Sequence, residues 1–128
     1  MFKISENKII TVSRGDSFSL DVFINLGYGC CPVQYVPEEG DKIYFGLMEP
    51  NQPFEFALIR KVFEEHNVNP DTGLVHMEFE PEDTENLIPG LYYYSVKLAT
   101  PIGRNEESNE IKYEVSTVIS NTKFYIID

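Results

Sequence analysis

Along most of this chain apolar and polar residues alternate with period two. Phe18, Leu20, Val22, Ile24 and Leu26 are apolar, and Ser17, Ser19, Asp21 and Asn25 between them are polar. That pattern predicts a half-buried strand over residues 18–26, with Phe23 as the one apolar residue on its outer face. Ile43, Phe45 and Leu47 repeat it after Gly40-Asp41-Lys42, and Val75, Met77 and Phe79 repeat it against His76, Glu78 and Glu80. Tyr92, Tyr94, Val96 and Leu98 do the same against Tyr93, Ser95 and Lys97. Shorter apolar runs at 8–12, 54–63, 111–119 and 123–127 bring the expectation to seven or eight strands.

Turn chemistry separates the runs. Arg14-Gly15-Asp16, residues 37–41 and Asn69-Pro70-Asp71-Thr72-Gly73 are rich in the residues that reverse a chain, and residues 100–109 read as a long polar hairpin loop. One short helical turn is expected near 82–87, where an acidic start precedes a stop at Pro89-Gly90. The succession of strands and turns predicts an all-β protein, an antiparallel β-sandwich of immunoglobulin-like type. The stretch entering the strand at 92–98 supports that type. Leu87, Gly90 and Tyr92 match a corner at which a tyrosine hydroxyl caps the preceding turn while its ring fills the core. No linker, repeat or low-complexity tract interrupts residues 1–128, so a single domain is expected.

Composition narrows the partners. The 128 residues are 42% hydrophobic and 13% aromatic, enough for a packed core. Ten basic residues against 21 acidic ones give a net charge of −11, which repels nucleic acid and anionic membrane surfaces. No apolar run approaches the roughly 20 residues of a membrane helix. Met1-Phe2-Lys3-Ile4-Ser5-Glu6 has no signal-peptide core, so synthesis in the cytoplasm without a signal peptide is expected.

Tests for reaction chemistry return little. There is no phosphate-binding glycine loop, since Gly27-Tyr28-Gly29 lacks a third glycine and a following helix. There is no Gly-x-Ser-x-Gly and no His-Glu-x-x-His. The two histidines, His66 and His76, read as solvated surface residues rather than a catalytic pair. Acidic pairs such as Glu38/Glu39, Glu64/Glu65 and Glu106/Glu107 lie mostly in turns, where solvated charge is the plain explanation. Residues 67–73 lack the closing glutamate of a calcium loop. Cys30 and Cys31 are adjacent, which disfavours a bridge between them and does not match zinc-ligand spacing. Arg14-Gly15-Asp16 joins two nearby strands and reads as a tight turn rather than an integrin ligand. No catalytic residue, metal or cofactor is therefore expected, and the protein is expected not to be an enzyme.

Candidate contacts come from apolar residues placed outward. The connection 27–37 carries Tyr28, Cys30, Cys31, Val33, Tyr35 and Val36, which makes it unusually apolar, and it serves either as an interface or as a cover for one end of the core. With Phe23 and Tyr93 on outward faces, the partner-contact set is Phe23, Tyr28, Tyr35, Val36 and Tyr93.

Several ordered segments carry a resemblance. They are Lys8-Ile9-Ile10-Thr11-Val12-Ser13-Arg14-Gly15-Asp16-Ser17-Phe18, then Glu38-Glu39-Gly40-Asp41-Lys42-Ile43-Tyr44-Phe45-Gly46-Leu47, then Met77-Glu78-Phe79-Glu80-Pro81-Glu82-Asp83-Thr84, and finally Leu87-x-x-Gly90-x-Tyr92-x-Tyr94-x-Val96. In this order they resemble small β-sandwich proteins of tailed phages and prophages of Firmicutes, in particular the N-terminal domain of the phage baseplate upper protein group. The resemblance implies a non-catalytic virion structural protein, a docking or decoration module of the tail, baseplate or capsid surface. Its implied partners are other virion proteins, with self-association as a further option, and its implied location is the virion. The alternative is a carbohydrate-binding module acting at a cell surface through Tyr28, Tyr35 or Tyr93.

Overall fold

A computed structural model describes residues 2–5, 7–26 and 33–128. The alternating segments form strands, and their apolar phase points inward. Strands β1 (Phe2–Ile4), β2 (Ile10–Ser13), β3 (Phe18–Val22), β4 (Ile24–Leu26) and β5 (Val33–Tyr35) precede β6 (Lys42–Met48) and β7 (Ile59–Phe63). Strand β8 (Val75–Phe79), the single-turn helix α1 (Pro81–Thr84) and the long strands β9 (Gly90–Arg104) and β10 (Ile111–Ile127) complete the chain. The protein is all-β.

Six strands form one sheet in the order β1-β2-β10-β9-β6-β7, and β3 pairs with β8, as β4 does with β5, in separate two-stranded ladders. The β3–β8 ladder lays Phe18, Leu20, Val22, Val75, Met77 and Phe79 against the inner face of the large sheet, and all six are buried in the core. Phe79 is the hub. Its ring stacks on Phe18 at 4.5 Å and meets Phe45 edge-on at 4.7 Å, geometries that aromatic quadrupoles favour. Tyr94 and Phe124 extend the same cluster across β9 and β10. Among the described residues no buried side-chain polar atom lacks a hydrogen-bond partner.

Several expectations change. The sheet is mixed, because β2 and β10 run parallel, Phe124 lying beside Ile10 and Ile126 beside Val12. These strands come from opposite ends of the chain and no hairpin joins them, so nothing forces an antiparallel pair. Ten strands are present among the described residues, rather than seven or eight. The run 18–26 is cut at Phe23 into β3 and β4, which pair with different partners, and the run 54–63 is a turn of 3-10 helix (Phe54–Phe56) followed by β7. The first half of the predicted loop 100–109 is strand: β9 and β10 stay paired out to Arg104 and Ile111, leaving a short turn whose Asn105 and Glu110 are hydrogen-bonded.

The helical turn sits earlier and is shorter than the expected 82–87. Pro81 starts it, and the Glu80 N–H donates to the Asp83 carboxylate at 2.8 Å as a cap. Thr84 ends it, fully buried, its Oγ1 accepting the Gly15 N–H at 2.9 Å. That bond fixes the Arg14-Gly15-Asp16 turn, where Gly15 adopts φ +80°, a region open to glycine at no steric cost. At the following corner the Tyr92 hydroxyl donates to the Ile88 carbonyl at 2.5 Å while its ring is buried, the arrangement expected from the sequence.

Candidate interaction surfaces

The expected contact residues do not form one patch. Phe23, 48% exposed, lies at the break between β3 and β4. The pairing of Ile24 with Tyr35 brings it to the same ladder end as exposed Val36. Tyr35 is partly committed to structure. Its ring packs against the core, and its hydroxyl donates to Asp41 Oδ2 at 2.6 Å. Burial first, then the hydrogen bond to Asp41, pushes its pKa up to about 12, so the phenol stays a neutral donor. Tyr93 faces outward from the six-stranded sheet, half-buried between Met48 and Lys123 in register. Tyr28, Cys30 and Cys31 lie outside the described residues.

A groove on the outer face of the large sheet was not anticipated. The 3-10 turn Phe54–Phe56 folds back over β6 and seats the Phe54 ring on Gly46, where any Cβ would collide with the ring. Arg60 holds that turn, its guanidinium donating to the carbonyls of Phe54 and Glu55 at 3.2 and 2.8 Å. Lys97 Nζ and the Arg60 guanidinium sit 4.8 and 5.8 Å from the Phe54 ring centre, and Lys42 Nζ lies 5.4 Å from that of Tyr113. Tyr44, Phe54, Glu55, Arg60, Lys97, Tyr113 and Val115 line an open depression of about 400 Å³. Two cations and one acid thus face it on a molecule of net charge −11. The signal lay in the outward phase of residues 42–48, where a glycine, Gly46, opposes Ser95 on β9.

The second unanticipated feature is an arm. Strand β6 stops pairing with β9 at Ala99, and β2 meets β10 only from Phe124 onward. Past Ala99 and Val115 the β9–β10 hairpin runs on as a two-stranded ribbon, residues 100–104 against 111–114. Ile102 and Ile111 on it are 62% and 44% exposed, and Val115 at its base is 57% exposed. Residues 101–104 are all exposed.

No family model, no curated protein and no solved structure matches this chain. The surfaces themselves therefore carry the reading. Among the described residues no three His, Cys, Asp or Glu side chains cluster as metal ligands. A second open depression, lined by Glu39, Asp41, Lys42, Glu64, Glu65 and His66, adjoins Tyr113. Its Asp41 is already occupied by the Tyr35 hydroxyl and the Glu38 N–H. His76 is not simply solvated: Asp21 and Glu78 flank it at 2.5 and 3.1 Å on the outer face of the β3–β8 ladder.

Proposed function

We propose that this protein is a non-catalytic structural component of a phage or prophage virion, a docking or decoration module of the tail, baseplate or capsid surface. The observation that carries the reading is the arm. A ribbon that leaves the body, exposes Ile102 and Ile111 with Val115 exposed at its base, and contributes little to the core has its physical use in contact with another surface. The order of the segments 8–18, 38–47, 77–84 and 87–96 supports the same reading by resemblance. We assign the fold to the immunoglobulin-like sandwiches on the Tyr92 corner and on the β3–β8 layer packed over the large sheet. Its partners on this reading are other virion proteins. Many copies on a symmetric particle gain avidity from weak individual contacts, and the negative charge keeps unassembled copies apart in the host cytoplasm. Mass spectrometry of purified particles from the source tests the proposal. It requires this chain at a fixed ratio to the major structural proteins; its absence from intact particles refutes the reading.

The groove supports a second reading, a carbohydrate-binding module, because Tyr44, Phe54 and Tyr113 surround an open depression beside three cations. Titration with an acidic and a neutral glycan array tests it. Saturable binding abolished by Tyr44→Ala and by Tyr113→Ala would favour it over the virion role.

A further inference from the structure

The two long edges of the arm are built differently. Past Ala99, the outer edge of β9 carries Pro101, which has no N–H, then Ile102, which has no partner across the ladder, then Gly103 at φ +144°. Proline, a bulge and glycine are the devices by which sheets prevent further strand addition. Strand β7 is blunted too, by Lys61, which points inward to Asp83 at 2.6 Å and lies over Phe79. The outer edge of β10 from Ile111 to Thr117 contains no proline or glycine, and no strand pairs with it among the described residues. Its one lysine, Lys112, has the opposite charge of Glu114 two residues on, so this edge carries a charge pair that a second copy can match.

Two observations set the direction of its backbone groups. The Glu110 carbonyl points toward β9, accepting the Asn105 N–H at 2.7 Å, and Tyr113 stands opposite Pro101, which has no N–H to give it. Backbone groups alternate along a strand, so those of Ile111, Tyr113 and Val115 point away from β9, to the open side.

The segment Ile111-Lys112-Tyr113-Glu114-Val115 is complementary to itself. Consider two copies antiparallel about a two-fold axis at Tyr113. Ile111 then faces Val115 of the second copy, Lys112 faces Glu114, and Tyr113 faces Tyr113. The outward-pointing N–H and C=O groups of Ile111, Tyr113 and Val115 meet as hydrogen-bonded pairs. Moving the axis by one residue either way sets Lys112 against Lys112 or Glu114 against Glu114, so charge fixes the register. Lys112 and Glu114 are both exposed, and neither forms a salt bridge among the described residues.

We infer that the open edge of β10 is a self-pairing surface, and that two copies join through residues 111–115 into one continuous sheet. This gives one edge of the arm a second copy of the chain as its contact and leaves the rest of the ribbon for the particle, and it rests on the reading of the arm as a docking element. The pairing is isologous, so it closes at a dimer instead of propagating as a fibre.

Sedimentation equilibrium of the full chain, up to about millimolar concentration, tests the inference. The wild type should show a reversible monomer–dimer equilibrium. Lys112→Glu and Glu114→Lys should each weaken it by roughly tenfold or more, since each places like charges opposite twice over. The double exchange K112E/E114K restores opposite pairing and should return the affinity to within about threefold of wild type. Tyr113→Pro removes an outward donor and should abolish dimers, while circular dichroism confirms that the fold is kept. A strictly monomeric wild type overturns the inference, as does a dimer that ignores the charge reversals or is not rescued by the double exchange. Monomeric protein that is nonetheless present at fixed ratio on particles would remove the self-pairing and leave the virion role standing. A charge-rescued dimer absent from particles would do the opposite.

Discussion

Asp41 shows how a buried charge is made tolerable. It is only 5% exposed, and its Oδ2 accepts both the Tyr35 hydroxyl at 2.6 Å and the Glu38 N–H at 2.9 Å. Removing one donor leaves part of a carboxylate unpaired away from water, which costs more than the bond itself contributes. Tyr35→Phe should therefore lower stability by about 1–2 kcal/mol, read from urea unfolding midpoints. A neutral result would mean that Tyr35 is free for contact, as the sequence alone had allowed. His76 is a smaller case. Its hydrogen bond to Asp21, and then that to Glu78, raises its pKa above the usual 6.5. A raised folded pKa means that the folded chain holds the proton more tightly. The gain is full below the unfolded pKa and disappears as pH rises through the folded value. Both Asp21 and His76 are about half exposed, so the gain stays under about 1 kcal/mol. Calorimetry should show the wild type melting slightly above His76→Gln near pH 6, with the gap closing at more alkaline pH. A gap of constant size would remove protonation as its cause.

Strands and their faces were legible because period-two alternation is a direct image of burial. Phe18, Leu20, Val22 and Ile24 are buried in phase, as are Ile43, Phe45 and Leu47, and Tyr92, Tyr94, Val96 and Leu98. Phe23 is exposed as its phase required, although its strand breaks there. The alternation says nothing about which strands become neighbours, so the parallel β2–β10 pair could not be read from it. It also fails where both faces meet water. Apart from Ile102, residues 100–104 are polar or turn-forming and look like a loop, but pairing with β10 keeps most of them extended. Phe54 counted only toward an apolar strand run over 54–63, and the missing side chain of Gly46 is what admits its ring to the outer face. An arm that adds little burial should be dispensable for folding. Joining Thr100 to Glu114 through Asn-Gly, with residues 101–113 removed, should cost less than about 1 kcal/mol in thermal unfolding. A collapse of the fold would show that the ribbon is part of the core structure.

At the scale of the whole molecule, charge and shape divide the surface. The net charge of −11 is spread over turns and outer faces, whereas Lys42, Arg60 and Lys97 gather around the groove beside the base of the arm. Tyr113 belongs to both features, lining the groove and standing at the centre of the self-complementary segment. Pairing of two arms would therefore bring two grooves side by side on one continuous outer face, and the assembled unit would present a surface that the single chain lacks.

We propose that the arm is where this protein meets the particle. Electron microscopy of particles assembled with the wild-type chain and with the chain lacking residues 101–113 tests this most directly. The wild-type chain should give density with its β9–β10 ribbon in the contact, and no chain should be bound when the ribbon is removed. Full occupancy by the shortened chain, or a wild-type chain held by another face with its ribbon free in solvent, would contradict it.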